Sequence, residues 1–422
     1  MPHTLADWLI YLESLHPKTI ALGLERVVQV KQRLSLQPGF PIIVVGGTNG
    51  KGSVCAMLES MLHAAGYRVG CYTSPHLLEY NERVRIAKKP ASDGDLCAAF
   101  EKVEQEREDT QLTYFEFGTL AAMQYFIQKN IDVAVLEVGL GGRLDAVNIF
   151  DHDCAVVASV DIDHTEYLGT TREQIAYEKA GIFRAGKVAV FGDHDMPAAI
   201  PTEAQRLGAE LWQLGHEFSF AQQAGQWDYR GSRGARNALP YPSLRGNYQL
   251  HNACAALAAL DALKDKLPVS MQAVRRGLVE VVLPGRFQVV PGRPQLILDV
   301  AHNPHAARSL AQNLASMPPA RKTFAVVAML KDKDMSGVIR AIKPQVDVWI
   351  VAGLAVPRGA TAAELALVAE AEQVAGALLS FATVTEALQH ACNEATENDR
   401  IVAFGSFYTI AEVMRERGLR PG

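Results

Sequence analysis

From residue 41 to the C-terminus the chain alternates short, unbroken apolar runs with stretches of helical periodicity, and this alternation constrains the fold more than any other feature. The runs PIIVVGG (41–47), YRVGCYT (67–73), IDVAVLEVG (131–139), CAVVASVDI (154–162) and KVAVFG (187–192) are separated by helix-like segments. A strand that is apolar at nearly every position, instead of every second one, must be buried on both faces. Such strands joined through helices make βαβ units. The expected class is therefore α/β, with a mainly parallel sheet covered by helices. Over 216–246 the rhythm breaks, with aromatic and polar residues interleaved (EFSFAQQAGQWDYRG), and a small antiparallel excursion is expected there.

A chain of 422 residues exceeds the roughly 250–300 at which one core stops growing, so two domains are expected. The alternation pauses at VVLPGRFQVVPGRP (281–294), where Pro, Gly and Arg gather, and restarts through QLILDVAH, TFAVVAML, VDVWIVAG and RIVAFGSF. This places a first domain at 1–284, a linker at 285–294 and a smaller α/β domain at 295–422. The formal charge of −5 argues against a nucleic-acid partner and leaves small molecules as the expected ligands. Six scattered cysteines without a Cys-x-x-Cys pair fit a reducing compartment. The N-terminus lacks the basic region of a signal peptide, and no run reaches the roughly 20 apolar residues that span a bilayer. A cytoplasmic protein with no membrane partner is expected, acting as a monomer.

The strongest local signal is IIVVGGTNGKGSV (42–54), a buried strand running into a glycine-rich turn and a helix. Glycines let backbone N–H groups curl around phosphate oxygens, the helix N-terminus adds its positive end, and Lys51 supplies a charge. The spacing departs from the usual P-loop: three residues separate Gly46 from Gly50, and Gly52 stands between Lys51 and Ser53. A plain glycine turn is the alternative. In TSPHLLEYNERVRI, Ser74 lies just past a strand, where a hydroxyl can complete a magnesium shell, and Asn81, Glu82 and Arg83 sit on a loop; a Ser-Pro turn beside a solvated charged patch is the bland reading.

Glu137 ends an apolar strand beside the turn LGGRLDAVN, where a carboxylate needs a partner; a metal is one, and a salt bridge to Arg143 is another. The segment SVDIDHTEYLG presents Asp161, Asp163 and His164 past the next strand, a fair metal-ligand grouping. By spacing alone, Glu178 and Lys179 in EQIAYEKAGIFR look like a surface charge pair. Asp299 and His302 in QLILDVAHNPHA suit ribose hydroxyls and phosphate, or act as caps. Gly405 and Ser406 in AFGSFYT either receive a small substrate or start a helix. Lys51, Ser74, Glu137, His164, Asp299 and Ser406 all follow the carboxyl end of an expected strand, the edge along which open α/β sheets bind ligands.

In order along the chain, GTNGKGS, TSPHL with YNERVRI, EVGLGGRLDA, DHTEYLG, YEKAGI, LPGRF and DVAHNP resemble the bifunctional dihydrofolate synthase/folylpolyglutamate synthase family, a branch of the Mur-ligase superfamily. The unusual P-loop spacing is part of that resemblance. It implies a P-loop domain of Mur-ligase type followed by a glutamate-ligase domain, with ATP and two Mg ions as cofactors. Gly50, Lys51, Gly52 and Ser53 would hold ATP phosphates; Ser74 and Glu137 would bind one Mg, and His164 another. The resemblance also makes Lys179 a carbamylated lysine supporting the second Mg, and sets Lys51, Lys179 and His164 at the catalytic centre. Asn252, Arg286 and Asp299 would be further ATP contacts, with His302 a phosphate candidate in the cleft. Thr113, Tyr114, Phe115 and Glu116, with Leu144, Asp145 and Ala146, would lie on the pterin side, and Ser406 near glutamate.

The implied reaction joins L-glutamate to dihydropteroate and to reduced folates through an acyl phosphate. That intermediate would hydrolyse if water reached it, so closure of the C-terminal domain about the linker is expected. Three other readings stand beside it: a Mur-type ligase adding an amino acid to a UDP-sugar precursor, folylpolyglutamate synthase activity alone, and a P-loop switch regulating a partner.

Overall fold

The computed structural model describes residues 2–16 and 20–420; residues 1, 17–19, 421 and 422, which fall within the two expected domains, lie outside the described residues. Two compact units emerge, Met1–Ser243 with Leu250–Val281, and Leu244–Gln249 with Val282–Gly422.

The first unit is built on an eight-stranded sheet. Its strands are β1 (Ile42–Gly46), β2 (Val69–Tyr72), β3 (Val84–Ile86), β4 (Lys89–Pro90), β5 (Val133–Glu137), β6 (Cys154–Val157), β7 (Val188–Phe191) and β8 (Glu210–Gln213), in the spatial order β4-β3-β2-β5-β1-β6-β7-β8. From β2 to β8 every neighbouring pair is parallel, whereas β3 and β4 add an antiparallel edge. The central strands β1, β2, β5, β6 and β7 are buried at every residue, as their unbroken apolar runs require. Helices close both faces. Lys51–Ala64 buries Val54, Met57, Leu58 and Met61, and Tyr114–Gln128 buries Phe117, Leu120 and Phe126.

The interleaved stretch after β8 does form a separate antiparallel sheet of β9 (Phe218–Gln223), β10 (Gln226–Gly231) and β11 (Gly234–Leu239). Buried Asp261, on the helix Tyr248–Ala262, holds it in place: its carboxylate accepts from the Tyr229 hydroxyl at 2.8 Å and pairs with Arg236 at 2.5 Å.

In the second unit six strands, β12 (Gln288–Val290), β13 (Gln295–Leu298), β14 (Thr323–Val327), β15 (Val348–Ala352), β16 (Ala377–Phe381) and β17 (Arg400–Phe404), take the order β12-β13-β17-β14-β15-β16. All pairs are parallel except β12 with β13. The stretch 285–294 thus contributes its own short strand to this sheet. No helix among the described residues is long and apolar enough to cross a membrane.

Candidate active site

Strand order in the first sheet decides which loops meet. β2, β5, β1 and β6 are consecutive and parallel, so the segments leaving their carboxyl ends, which carry Ser74, Glu137, the 46–53 loop and residues 158–164, lie side by side. With strands about 4.8 Å apart, the four line a rim roughly 14 Å long. The chain leaves β1 toward β2 on one side and later reaches β6 on the other, which opens a crevice at this edge.

The 46–53 loop is pinned from below. Thr48 N–H donates to Ser159 O at 2.8 Å, Asn49 N–H to Ser159 Oγ at 3.2 Å, and Asp161 N–H to Thr48 Oγ1 at 3.0 Å. Gly50 ends the loop at φ +86°, a left-handed backbone that favours glycine, and a Cβ there would stand 2.5 Å from Asn252 Oδ1. This contact brings Asn252, some two hundred residues along the chain, directly against the loop. Lys51 opens the helix and its ammonium donates to the carbonyls of Gly47 and Thr48, each at 3.1 Å, so the charge is held at the loop; Gly52 and buried Ser53 follow in the first helical turn.

Ser74 and Glu137 meet. Register places Tyr72 beside Leu136 and Val45 beside Glu137, so Glu137 stands between the strand that leads to Ser74 and the one that leads to the glycine loop. Ser74 N–H donates to Glu137 Oε2 at 3.2 Å. The alternative partner for Glu137 is committed elsewhere: Arg143 pairs with Glu203 at 2.7 Å, donates to Tyr177 O and lies 3.9 Å from the Tyr177 ring centroid.

Lys179 is not on the surface as its spacing suggests. It lies in the last turn of the helix Arg172–Ala180 at 4% exposure. Burial, aided by the nearby charge of Lys51, pulls its ammonium down to about 7, against the attraction of Asp163 and Asp145. Asp145 is equally buried, and burial raises its carboxyl to about 7 even though the N–H groups of Leu140 (2.8 Å) and Val147 (3.0 Å) and the charge of Lys51 oppose the rise. Lys51, Asp145, Asp163 and Lys179 therefore share one low-dielectric neighbourhood. Gly142 lets the 139–145 turn rest on it, since a Cβ there would stand 2.9 Å from the carbonyls of Glu178 and Lys179. His164 caps the short helix Thr165–Leu168 with φ +51°, its Nε2 4.0 Å from Asp163 Oδ1.

Thr113 and Glu116 form a reciprocal cap on the helix Tyr114–Gln128, and Glu116 also pairs with Arg26 at 2.9 Å, so this carboxylate is structurally engaged. Phe115 packs on Gly139, where a Cβ would come within 2.6 Å of the ring, and Tyr114 remains half-buried. Leu144 is exposed, whereas Asp145 and Ala146 on either side of the next bond are buried.

Within the second unit the four sequence candidates also come together. Asp299 follows β13, and its carboxylate accepts the N–H groups of Phe287 and Ala301, each at 2.8 Å; burial raises its carboxyl against the charge of Arg286. Arg286 lies 5.0 Å from the Phe407 ring centroid and His302 6.3 Å from the same ring, with His302 Nδ1 2.8 Å from Val300 O. Ser406, after neighbouring β17, caps the helix Phe407–Glu416 and shares a 2.7 Å hydroxyl contact with Thr409.

Among the described residues no three His, Cys, Asp or Glu side chains are grouped so as to hold a metal by themselves. The first-unit rim offers instead the Glu137 carboxylate, the Ser74 hydroxyl, the His164 imidazole beside Asp163, and buried Lys179. The oxygen donors among them suit magnesium, which keeps several waters and takes one or two carboxylates together with substrate phosphates. The fixing of the glycine loop by Ser159 had no sequence signal, because a serine 110 residues away has no local pattern linking it to the loop.

The Mur ligase middle domain matches residues 45–260 and the Mur ligase glutamate ligase domain matches residues 285–407. The dihydrofolate synthase/folylpolyglutamate synthase of Escherichia coli (strain K12) is 46% identical over 411 residues, covering 97% of this chain and 94% of that protein. The structure of E. coli FolC in complex with DHPP and ADP superposes with a TM-score of 0.94 at 45% identity, covering 99% of each chain. A bifunctional folylpolyglutamate synthase/dihydrofolate synthase with Mn, AMPPNP and L-glutamate bound gives 0.91 at 47% identity, covering 99% of this chain and 98% of that one.

Proposed function

The chain belongs to the dihydrofolate synthase/folylpolyglutamate synthase family of Mur ligases, and we propose that it joins L-glutamate to the carboxyl group of dihydropteroate and of reduced folates using ATP. The acceptor carboxylate attacks the γ-phosphorus, giving an acyl phosphate and ADP. The α-amine of L-glutamate then attacks the acyl carbon, the amide forms and phosphate leaves. The observation that carries this reading is the Ser74–Glu137 contact one strand away from the Lys51 loop, which sets oxygen donors beside a phosphate cradle at a single sheet edge.

In this assignment Gly50, Lys51, Gly52 and Ser53 cradle the phosphates and Asn252 braces the cradle. Ser74 and Glu137 would hold one magnesium, and His164 with Lys179 a second. Magnesium bound there would offset the mutual repulsion of carboxylate and γ-phosphate. The buried amine of Lys179, lowered to about 7, is substantially neutral near physiological pH and can add to CO2: the N–C bond forms as a C–O π pair moves onto oxygen, a proton leaves nitrogen, and the neutral amine becomes an anionic, carboxylate-like ligand. Thr113 to Glu116 and Leu144 to Ala146 would face the pterin. Tyr114 and Phe115, both half-buried, and exposed Leu144 are the members with surface to offer. In the second unit Asp299 keeps unused lone pairs on both oxygens for ribose hydroxyls, Arg286 and His302 would meet phosphate, and Ser406 would lie near glutamate. We take the enzyme to work as a cytoplasmic monomer.

The test is phosphate release by the purified protein with ATP, Mg, L-glutamate and, in turn, dihydropteroate, tetrahydrofolate or a UDP-linked sugar acid. Release that requires glutamate and either pterin substrate is expected. Release with the UDP-sugar alone would move the chain to cell-wall precursor ligation, and glutamate-independent hydrolysis would remove the ligase reading.

A further inference from the structure

The YNERVRI segment has no part in the assignments above, yet it holds an oriented guanidinium with unused donors. Arg83 ends the turn Tyr80–Arg83 and is half-buried. Its Nε donates to His76 Nδ1 at 2.8 Å, and its guanidinium carbon lies 5.3 Å from the Tyr80 ring centroid and 5.4 Å from that of Tyr114. One edge and the faces of the fork are thus fixed. Its two Nη groups donate to no acceptor and join no ion pair among the described residues, and neither is shut away from solvent. The adjacent carboxylate does not compete for them. Glu82 is taken up by the backbone N–H groups of Leu77 at 2.8 Å and of Leu78 and Glu79 at 2.7 Å each.

The position matters as much as the unused donors. Arg83 O accepts the N–H of Thr73 at 2.9 Å, and the next residue, Ser74, donates to Glu137, so Arg83 is tied to the junction assigned to phosphoryl transfer. On its other side stands Tyr114, the first residue of the helix that continues through Phe115 to its packing on Gly139, the stretch assigned to the pterin. An acceptor with its ring at the Tyr114 stretch and its carboxyl end at Ser74 and Glu137 must pass this guanidinium. A planar fork with both Nη groups free matches a carboxylate in bidentate geometry, and flanking aromatic faces keep it oriented before substrate arrives.

We propose that Arg83 is a substrate-binding residue that takes a carboxylate of the acceptor or of the incoming glutamate, a step that rests on the ligase reading above. The three candidate carboxylates share this chemistry and differ in kinetics. Steady-state rates of Arg83→Gln and Arg83→Lys are measured with dihydropteroate, tetrahydrofolate and L-glutamate each varied, alongside the KM for ATP and the melting temperature. A charge-assisted pair lost from a substrate corresponds to a rise in KM of about 10- to 100-fold. That rise is expected with the KM for ATP and the melting temperature unchanged, and lysine should recover little because it offers no fork.

A rise with both acceptors identifies the reacting carboxylate, a rise with tetrahydrofolate alone the α-carboxylate of its glutamyl tail, and a rise with L-glutamate alone the incoming amino acid. Unchanged KM for all three, or a rise that tracks a fall in melting temperature, overturns the proposal. Equilibrium binding of tetrahydrofolate separates the two layers of the argument: a wild type that binds but never releases phosphate, with binding lost in Arg83→Gln, ends the ligase reading and leaves Arg83 in place. A wild type that does neither ends both.

Discussion

Replacing Lys179 by methionine should raise stability while removing ligase activity. The folded chain holds this ammonium down at about 7, against roughly 10.4 in an unfolded chain. Below pH 7 both states carry the proton and the folded state bears the full penalty of about 4–5 kcal/mol, at about 1.4 kcal/mol per pH unit. Between pH 7 and 10.5 the unfolded chain binds a proton that the folded chain lacks, so stability rises with pH and the penalty fades. Methionine has similar length and no charge. The attraction of Asp145 and Asp163 is already contained in that net shift, and replacing a buried charge by an apolar side chain of similar volume gives a gain of about 1–4 kcal/mol, while Asp145 keeps Lys51 and its backbone donors. Urea denaturation from pH 7 to 10 in CO2-depleted buffer should show a rising slope in the wild type and a flattened one in the variant. Added bicarbonate should reproduce the flattening in the wild type, since a carbamate no longer titrates as an amine. A Lys179→Met protein with an unchanged pH slope would show that the lysine is not the titrating group, and one with wild-type turnover that it is not part of the catalytic centre.

Three further outcomes are expected. Glu137→Ala should abolish phosphate release while circular dichroism and melting stay near wild type; near-normal activity would overturn the proposed magnesium-binding role of Glu137. Gly50→Ala forces a left-handed alanine and pushes against Asn252, which costs about 1–2 kcal/mol in backbone strain and should weaken nucleotide binding in a fluorescence titration; unaltered affinity would disprove the cradle. His152 is buried against the carbonyls of Phe150 and Ile182, and burial lowers it from 6.5 to about 4, so the unfolded chain takes up a proton first as the pH falls. About 3 kcal/mol of stability should be lost between pH 6.5 and 4, and His152→Gln should flatten that interval in acid unfolding curves.

Much of the architecture could be read from local pattern. The fully apolar run at 42–46 requires a strand covered on both faces, and β1 is buried throughout. The interleaved stretch at 217–231 lies in an antiparallel sheet, and GTNGKGS reads as a turn that opens a helix. Other features were out of reach. Spacing makes Glu178 and Lys179 a solvated pair, yet only Lys179 is fully buried, because the turn at Gly142 lies across the end of its helix.

Which segments become strands and helices, and which chemical groups stand at strand ends, is written locally in the chain, since both depend on periods of two and three to four residues along one stretch. Which strand ends are neighbours follows from packing across the whole sheet. The order β2-β5-β1-β6 sets Ser74 against Glu137, 63 residues on, and helix packing sets Asn252 against Gly50. Such contacts arise from burying whole faces together, and no local periodicity encodes them. The burial that lowers Lys179 and raises Asp145 has the same origin, because desolvation depends on everything packed around a group and not on its neighbours in the chain.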